Sequence, residues 1–103
     1  MLNLLLEEKI LVLQYLKELI KKPGTENLTA RQIVMLLKLE LSSPCRLTVR
    51  GMAKEFGVSK PVITRAMIGF VEHQMVARYE VPEDKRDANF GITPIGAKFL
   101  AMQ

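Results

Sequence analysis

The chain has 103 residues, fifteen Lys and Arg against eleven Asp and Glu, a formal net charge of +4 and one cysteine. With 49 % apolar and 25 % charged residues it reads as one ordinary globular domain, too short for two cores. A single cysteine excludes an internal disulfide and fits a reducing cytoplasm, and no run approaches the roughly eighteen apolar residues a membrane span needs.

The opening stretch, MLNLLLEEKILVLQYL, is Leu-rich. No basic residue precedes its apolar ones, Glu7, Glu8 and Lys9 interrupt them, and no small-residue cleavage site follows, so it does not read as a signal peptide. Residues 4–22 have helical periodicity. Leu6, Leu13 and Ile20 recur every seven, Leu5, Val12 and Leu19 run beside them, and Leu16 fills between. Pro23-Gly24 stops the helix. The stripe is wide for a helix packed only on its own small domain. Either it meets a partner helix, from a second copy, or it is buried against the rest of the chain. Residues 1–24 are assigned as a dimerisation helix, separate from residues 25–103. Glu7, Glu8 and Glu18 read as a solvated face.

Residues 28–41, LTARQIVMLLKLEL, predict a second helix. Thr29 is its N-cap, Gln32 completes a capping box, and Ile33, Leu36, Leu37 and Leu41 form its apolar face. SSPC at 42–45 ends it. Arg46-Leu47 is too short to assign alone, though a strand pairing could start there. Thr48 caps a third helix over 49–56, and Gly57-Val58 makes a tight turn. Ser59 caps a fourth helix reaching about residue 73, with Pro61 in its first turn, where a missing N–H costs nothing. VARYEV (76–81) and ANFGIT (88–93) are strand candidates. The charged stretch between them reads as an exposed turn. Thr93 caps a last helix over 94–102, with Pro94 in its first turn.

Charge is unevenly distributed. Residues 46–65 carry Arg46, Arg50, Lys54, Lys60 and Arg65 against Glu55, a charge equal to the excess of the whole chain. Such clustering is the footprint of an anionic partner, nucleic acid first, with a solvated face as the alternative.

The run VRGMAKEFGVSKPVITRAMI (49–68) meets the requirements of a helix-turn-helix. Ala53 is small where two helices cross, and Gly57 can take the positive φ of the turn. Met52, Phe56, Val58, Ile63 and Ala66 are spaced to lock the second helix onto the first. That helix sorts into two faces: Ile63, Ala66, Met67 and Phe70 inward, Lys60, Pro61, Thr64 and Arg65 outward near its N-terminus. This end of such a helix reads base edges in the major groove, and its dipole favours nearby phosphate. Arg65 and Lys60 could bond guanine or phosphate, Thr64 could do either, and Ser59 could cap, bind phosphate, or both.

LTARQIVMLLKLE, LTVRGMAKEFGVSKPVITRAMIGFVEHQMVAR and VPEDKRDANFGITPIGAKFL together resemble the winged helix-turn-helix core of MarR-type bacterial transcription regulators, over about residues 28–101. The most specific piece is Asp84-x-Arg86, a spacer, then Ile92-Thr93 and Gly96. The resemblance implies a mainly α fold with a small β-hairpin, preceded here by the amphipathic N-terminal helix. It implies that the acidic stretch is a wing (81–90) whose Arg86 reaches the minor groove, where narrow grooves attract Arg. Asp84 would accept bonds from turn N–H groups or from Arg86 and shape the wing. Alternatively the wing is a charged hairpin that protects an edge.

Three departures stand out. Gln74-Met75 replaces a usual Gly after the recognition helix, Tyr79 replaces a common second Arg after Arg78, and the sequence ends at Gln103, where family members continue into long C-terminal helices. The expected DNA contacts are Thr48, Lys54, Ser59, Lys60, Pro61, Thr64, Arg65, Arg78, Lys85 and Arg86. The expected dimer contacts are Leu5, Leu6, Val12, Leu13, Leu16, Leu19 and Ile20.

Other chemistry is not expected. His73 lies 28 residues from Cys45 with no other soft ligand nearby, so a metal site is unsupported. Cys45 reads as a small buried residue, and Met35, Met52 and Met67 stand at core spacing. No phosphate-binding loop, dinucleotide fingerprint or catalytic constellation is present, so no enzyme and no cofactor is expected. The sequence thus reads as a cytoplasmic, homodimeric repressor that binds specific double-stranded DNA, with helix 59–73 in the major groove and no membrane partner. A small-molecule effector is left open. The alternative is a winged-helix module for protein contacts.

Overall fold

A computed structural model of the chain describes residues 3–81 and 84–101, with the side chains of Val81 and of residues 84–87 outside the description. Helix α1 spans Leu6–Leu19, α2 Ala30–Ser42, α3 Val49–Phe56, α4 Lys60–Glu72 and α5 Pro94–Leu100. Strands β1 (Leu47–Thr48), β2 (Val76–Val81) and β3 (Asp84–Ile92) form one antiparallel sheet in the order β1-β3-β2. This is the mainly α, winged helix-turn-helix arrangement expected from the sequence.

The local caps explain most boundaries. The Leu5 N–H donates to the Glu8 carboxylate at 2.9 Å, starting α1. The α2 capping box is complete: the Gln32 N–H donates to Thr29 Oγ1 at 3.2 Å, and the Thr29 N–H to Gln32 Oε1 at 2.9 Å. Thr48 and Thr93 cap α3 and α5 by accepting from the Gly51 and Gly96 N–H groups at 2.9 and 3.1 Å.

The core gathers Met35, Leu36, Leu39, Met52, Ile63, Met67, Phe70, Val76 and Phe90. Two residues of the predicted apolar stripes fall elsewhere. Leu41 is 80 % exposed, because five residues beyond Leu36 is about 140° round the helix; Met35 and Leu39 take the inner positions. Leu19 is fully buried in the chain's own core, so it is not available to a partner helix. Cys45 is exposed rather than buried, since it lies in the turn between α2 and β1.

Helix α1 is tied to the end of α5. The Tyr15 hydroxyl donates to the Leu100 carbonyl at 3.0 Å. Burial, reinforced by the Glu40 carboxylate, pushes the Tyr15 phenol up and keeps it a donor. Lys22 Nζ donates to the Phe99 and Ala101 carbonyls, a cation on the open carbonyls of a helix C-terminus.

The charged stretch after β2 is not a long turn. Strand β3 begins at Asp84, four residues before the expected strand, and Val81 pairs with Asp84. The register shifts between Tyr79 and Val81. Backbone pairing needs no apolar alternation, so this part of β3 left no periodic signal in the sequence. Pro82 and Glu83 lie outside the described residues.

Gln74 follows α4 with φ 63°, the left-handed conformation, and the Met75 N–H closes back to the Phe70 carbonyl at 2.9 Å. A residue with a Cβ is strained there by about 1–2 kcal/mol, and Gly is not. Gln74→Gly is therefore expected to stabilise the fold by about 1 kcal/mol, raising Tm by about 4–8 °C in a thermal melt. An unchanged or lower Tm would contradict the strained conformation.

Candidate nucleic-acid interface

The helix-turn-helix is built as its sequence requires. Ala53 is buried at the α3–α4 crossing, Gly57 has φ 66°, and the Val58 N–H donates to the Ala53 carbonyl at 3.1 Å. Phe56 and Val58 pack at the edge of the core. Ile63, Ala66, Met67 and Phe70 of α4 are all buried. That burial turns the opposite face outward, and Ser59, Lys60, Pro61, Thr64 and Arg65 are all exposed.

Ser59 occupies the N-cap, but its side chain makes no capping hydrogen bond. Its carbonyl already accepts from the Val62 and Ile63 N–H groups. Among the described residues the hydroxyl makes no hydrogen bond, which leaves it open to an external partner. Thr48 differs: its hydroxyl is engaged with the Gly51 N–H, so its first role is to set the start of α3. Lys54 is exposed on α3, one turn beyond the exposed Arg50.

Electrostatics keep this surface cationic. Glu55 is the one acidic residue of segment 46–65, and Lys38 of α2 holds its carboxylate at 3.0 Å. Arg50, Lys54, Lys60 and Arg65 make no ion pair among the described residues. Each remains able to meet an external anion.

Two of the grooves beside α4 are lined by arginine. One is lined by Thr64, Ile68, Val71, Arg78 and Phe90, which brings Arg78 of the hairpin beside Thr64 of the helix. Among the described residues, Arg78 keeps only a loose 4.0 Å contact with Glu80. The other groove, between α2 and α4, is lined by Arg31 and Arg65 together with Thr29 and Val62. Arg31 was absent from the expected contacts. Nothing local marks it, because only the packing of α2 on α4 sets it beside Arg65. Asp84, Lys85 and Arg86 belong to β3 by backbone, and their side chains lie outside the described residues. Lys60, Thr64, Arg65 and Arg78 are therefore brought to one side-chain surface around α4.

His73 is exposed at the C-cap of α4, and no cluster of metal-ligating side chains occurs among the described residues. No described helix is long and apolar enough to cross a membrane.

Comparison with known proteins places this architecture. The DNA complex of Staphylococcus aureus MepR superposes with a TM-score of 0.67 at 23 % identity, over 91 % of this chain and 70 % of that one. YusO from Bacillus subtilis gives a TM-score of 0.68 at 19 % identity, over 92 % and 66 % of the two chains. The adhesin competence repressor AdcR from Streptococcus pyogenes gives 0.63 at 26 % identity, over 92 % and 68 %. No curated protein matches the sequence. The MarR family profile matches residues 28–87, which run from the start of α2 through the helix-turn-helix into the hairpin. With more than half of its residues matched and the winged helix around them, the chain belongs to the MarR family of transcription regulators.

Proposed function

We propose that the chain is a homodimeric repressor that binds a roughly palindromic site in double-stranded DNA. The observation that carries this reading is the exposed, cationic N-terminal half of α4 on a buried helix-turn-helix. Lys60, Thr64 and Arg65 contact the major groove, by base edge or phosphate, with Ser59 and Lys54 on the backbone. Arg78 and Lys85 add phosphate contacts, and Arg86, by its resemblance to the family wing, enters the minor groove. The dimer sets two copies of α4 about 34 Å apart, in successive major grooves. Its contact is the face of α1, where Leu5, Leu6, Val12, Leu13 and Ile20 are exposed and Leu16 stands at their edge. MepR was solved bound to DNA, and AdcR is a repressor by name, which supports both parts of the reading.

Fluorescence anisotropy on generic duplex DNA across a salt series tests it. The logarithmic slope is expected to be steep, at about −0.9 per phosphate contact. Absence of binding at low salt would instead favour a protein-interaction module. The exposed leucines of α1 and the net acidic segment 78–87 would suit such a module. Arg86→Ala is expected to weaken binding by about tenfold while Tm stays within about 2 °C. Unaltered affinity would remove Arg86 from the contact set.

A further inference from the structure

The guanidinium carbon of Arg46 lies over the ring of Tyr79, 3.5 Å from the ring centroid. These residues come from opposite edges of the sheet, because β3 lies between β1 and β2. The Arg46 stem crosses β3 at Gly91. A Cβ built on Gly91 would stand 3.6 Å from Arg46 Cγ and 3.5 Å from the Tyr79 ring. The bare backbone of Gly91 is thus the floor of a track that leads Arg46 to Tyr79.

Strand alternation gives the sheet two different faces. Phe90, paired with Arg78, faces the core. Tyr79, paired with Asn89, faces the other way, and Arg46 lies on that outer face. Arg46 is exposed and makes no ion pair among the described residues. Stacking occupies the π face of a guanidinium and leaves the five N–H donors around its edge open. The ring also fixes a side chain that otherwise loses much rotamer freedom when it binds. A preorganised, outward cation with open in-plane donors matches a phosphate, which takes two parallel N–H bonds from one guanidinium.

We infer that Arg46, held by Tyr79 over Gly91, is a further DNA contact. It grips a backbone phosphate beside the groove entered by the hairpin. Tyr79 is its positioning residue. This inference rests on the DNA-binding reading and adds to it a contact from the stem of the hairpin rather than from α4 or the wing tip.

The test is the salt dependence of binding to one generic duplex by the full chain and its variants. Arg46→Ala is expected to flatten the logarithmic slope by about 0.9 and to weaken binding by about three- to tenfold. Tyr79→Leu is expected to cause part of that loss in the native background and none in the Arg46→Ala background. Gly91→Ile, which keeps both residues but blocks the track, is expected to behave like Arg46→Ala; it also decides the matter if Arg46→Ala does not fold. A native slope in Arg46→Ala, with only Tm lowered, would show a mere staple between strands and overturn the inference. Additive losses from Tyr79→Leu and Arg46→Ala would overturn the positioning role. If the native chain binds no DNA, the underlying reading falls as well; if it binds and Arg46→Ala binds equally, only this inference falls.

Discussion

Replacing Lys60 and Arg65 together with alanine is expected to weaken binding to duplex DNA by about a hundredfold and to leave the fold intact. Both side chains are exposed on the outer face of α4, and neither makes an ion pair among the described residues. Their removal therefore costs little stability, within about 0.5 kcal/mol. Each lost contact to DNA is expected to cost about 1.4 kcal/mol, or tenfold in Kd. If both contact phosphate, the logarithmic salt slope flattens by about 1.8. The single variants separate the two roles left open by the sequence. Arg65→Ala relaxing preference at one base pair identifies a guanine contact, whereas uniform weakening across sequences identifies a phosphate contact. Anisotropy with and without an operator-like site reads both. An unchanged Kd in the double variant would remove α4 from the interface.

Gly96→Ala is expected to have the largest effect on stability. The new Cβ would stand 2.2 Å from the Met75 carbonyl oxygen, 2.9 Å from Ile92 Cγ1 and 3.1 Å from the Met75 carbonyl carbon. Two of these three atoms are backbone, which cannot swing aside as a side-chain tip can. The same Met75 carbonyl accepts from the Thr93 N–H at 3.0 Å, and the Thr93 hydroxyl donates to the Gln74 carbonyl at 2.6 Å. Relieving the clash would open the junction between α4, the hairpin and α5. A cost of about 3 kcal/mol and a fall in Tm of more than about 10 °C follow. Gly69→Ala is the control. Its Cβ would meet nothing within 4 Å on a helix interior, so that variant is expected to gain about 0.5–1 kcal/mol. A Gly96→Ala melt within about 2 °C of the native chain would refute this close approach.

The contrast between Gly69 and Gly96 shows what a sequence carries and what it does not. Both are glycines within helices, and only the packing of α5 against Met75 makes one of them irreplaceable. The caps at Thr29, Thr48 and Thr93, the turn at Gly57 and the two faces of α4 were legible because each signal is local. A capping hydroxyl reaches three residues along, and a helical face repeats every three or four. The exposed outer face of α4, with Ser59, Lys60, Pro61, Thr64 and Arg65, was therefore legible in the sequence.

Contacts between distant segments leave no such periodicity. Leu19 and Leu16 belong to one stripe, yet only Leu19 reaches the core, because α1 meets the rest of the chain near its C-terminal end. The early start of β3, the pairing of Lys38 with Glu55, Arg31 beside Arg65 and Arg46 on Tyr79 were decided by tertiary structure alone. By itself the sequence determined the helices, the caps at Thr29, Thr48 and Thr93 and the cationic face of α4, since these follow from spacing within a few residues. Tertiary structure decided which of those cations stay unpaired among the described residues and which side chains from remote strands join them, since that depends on how separate elements meet in space.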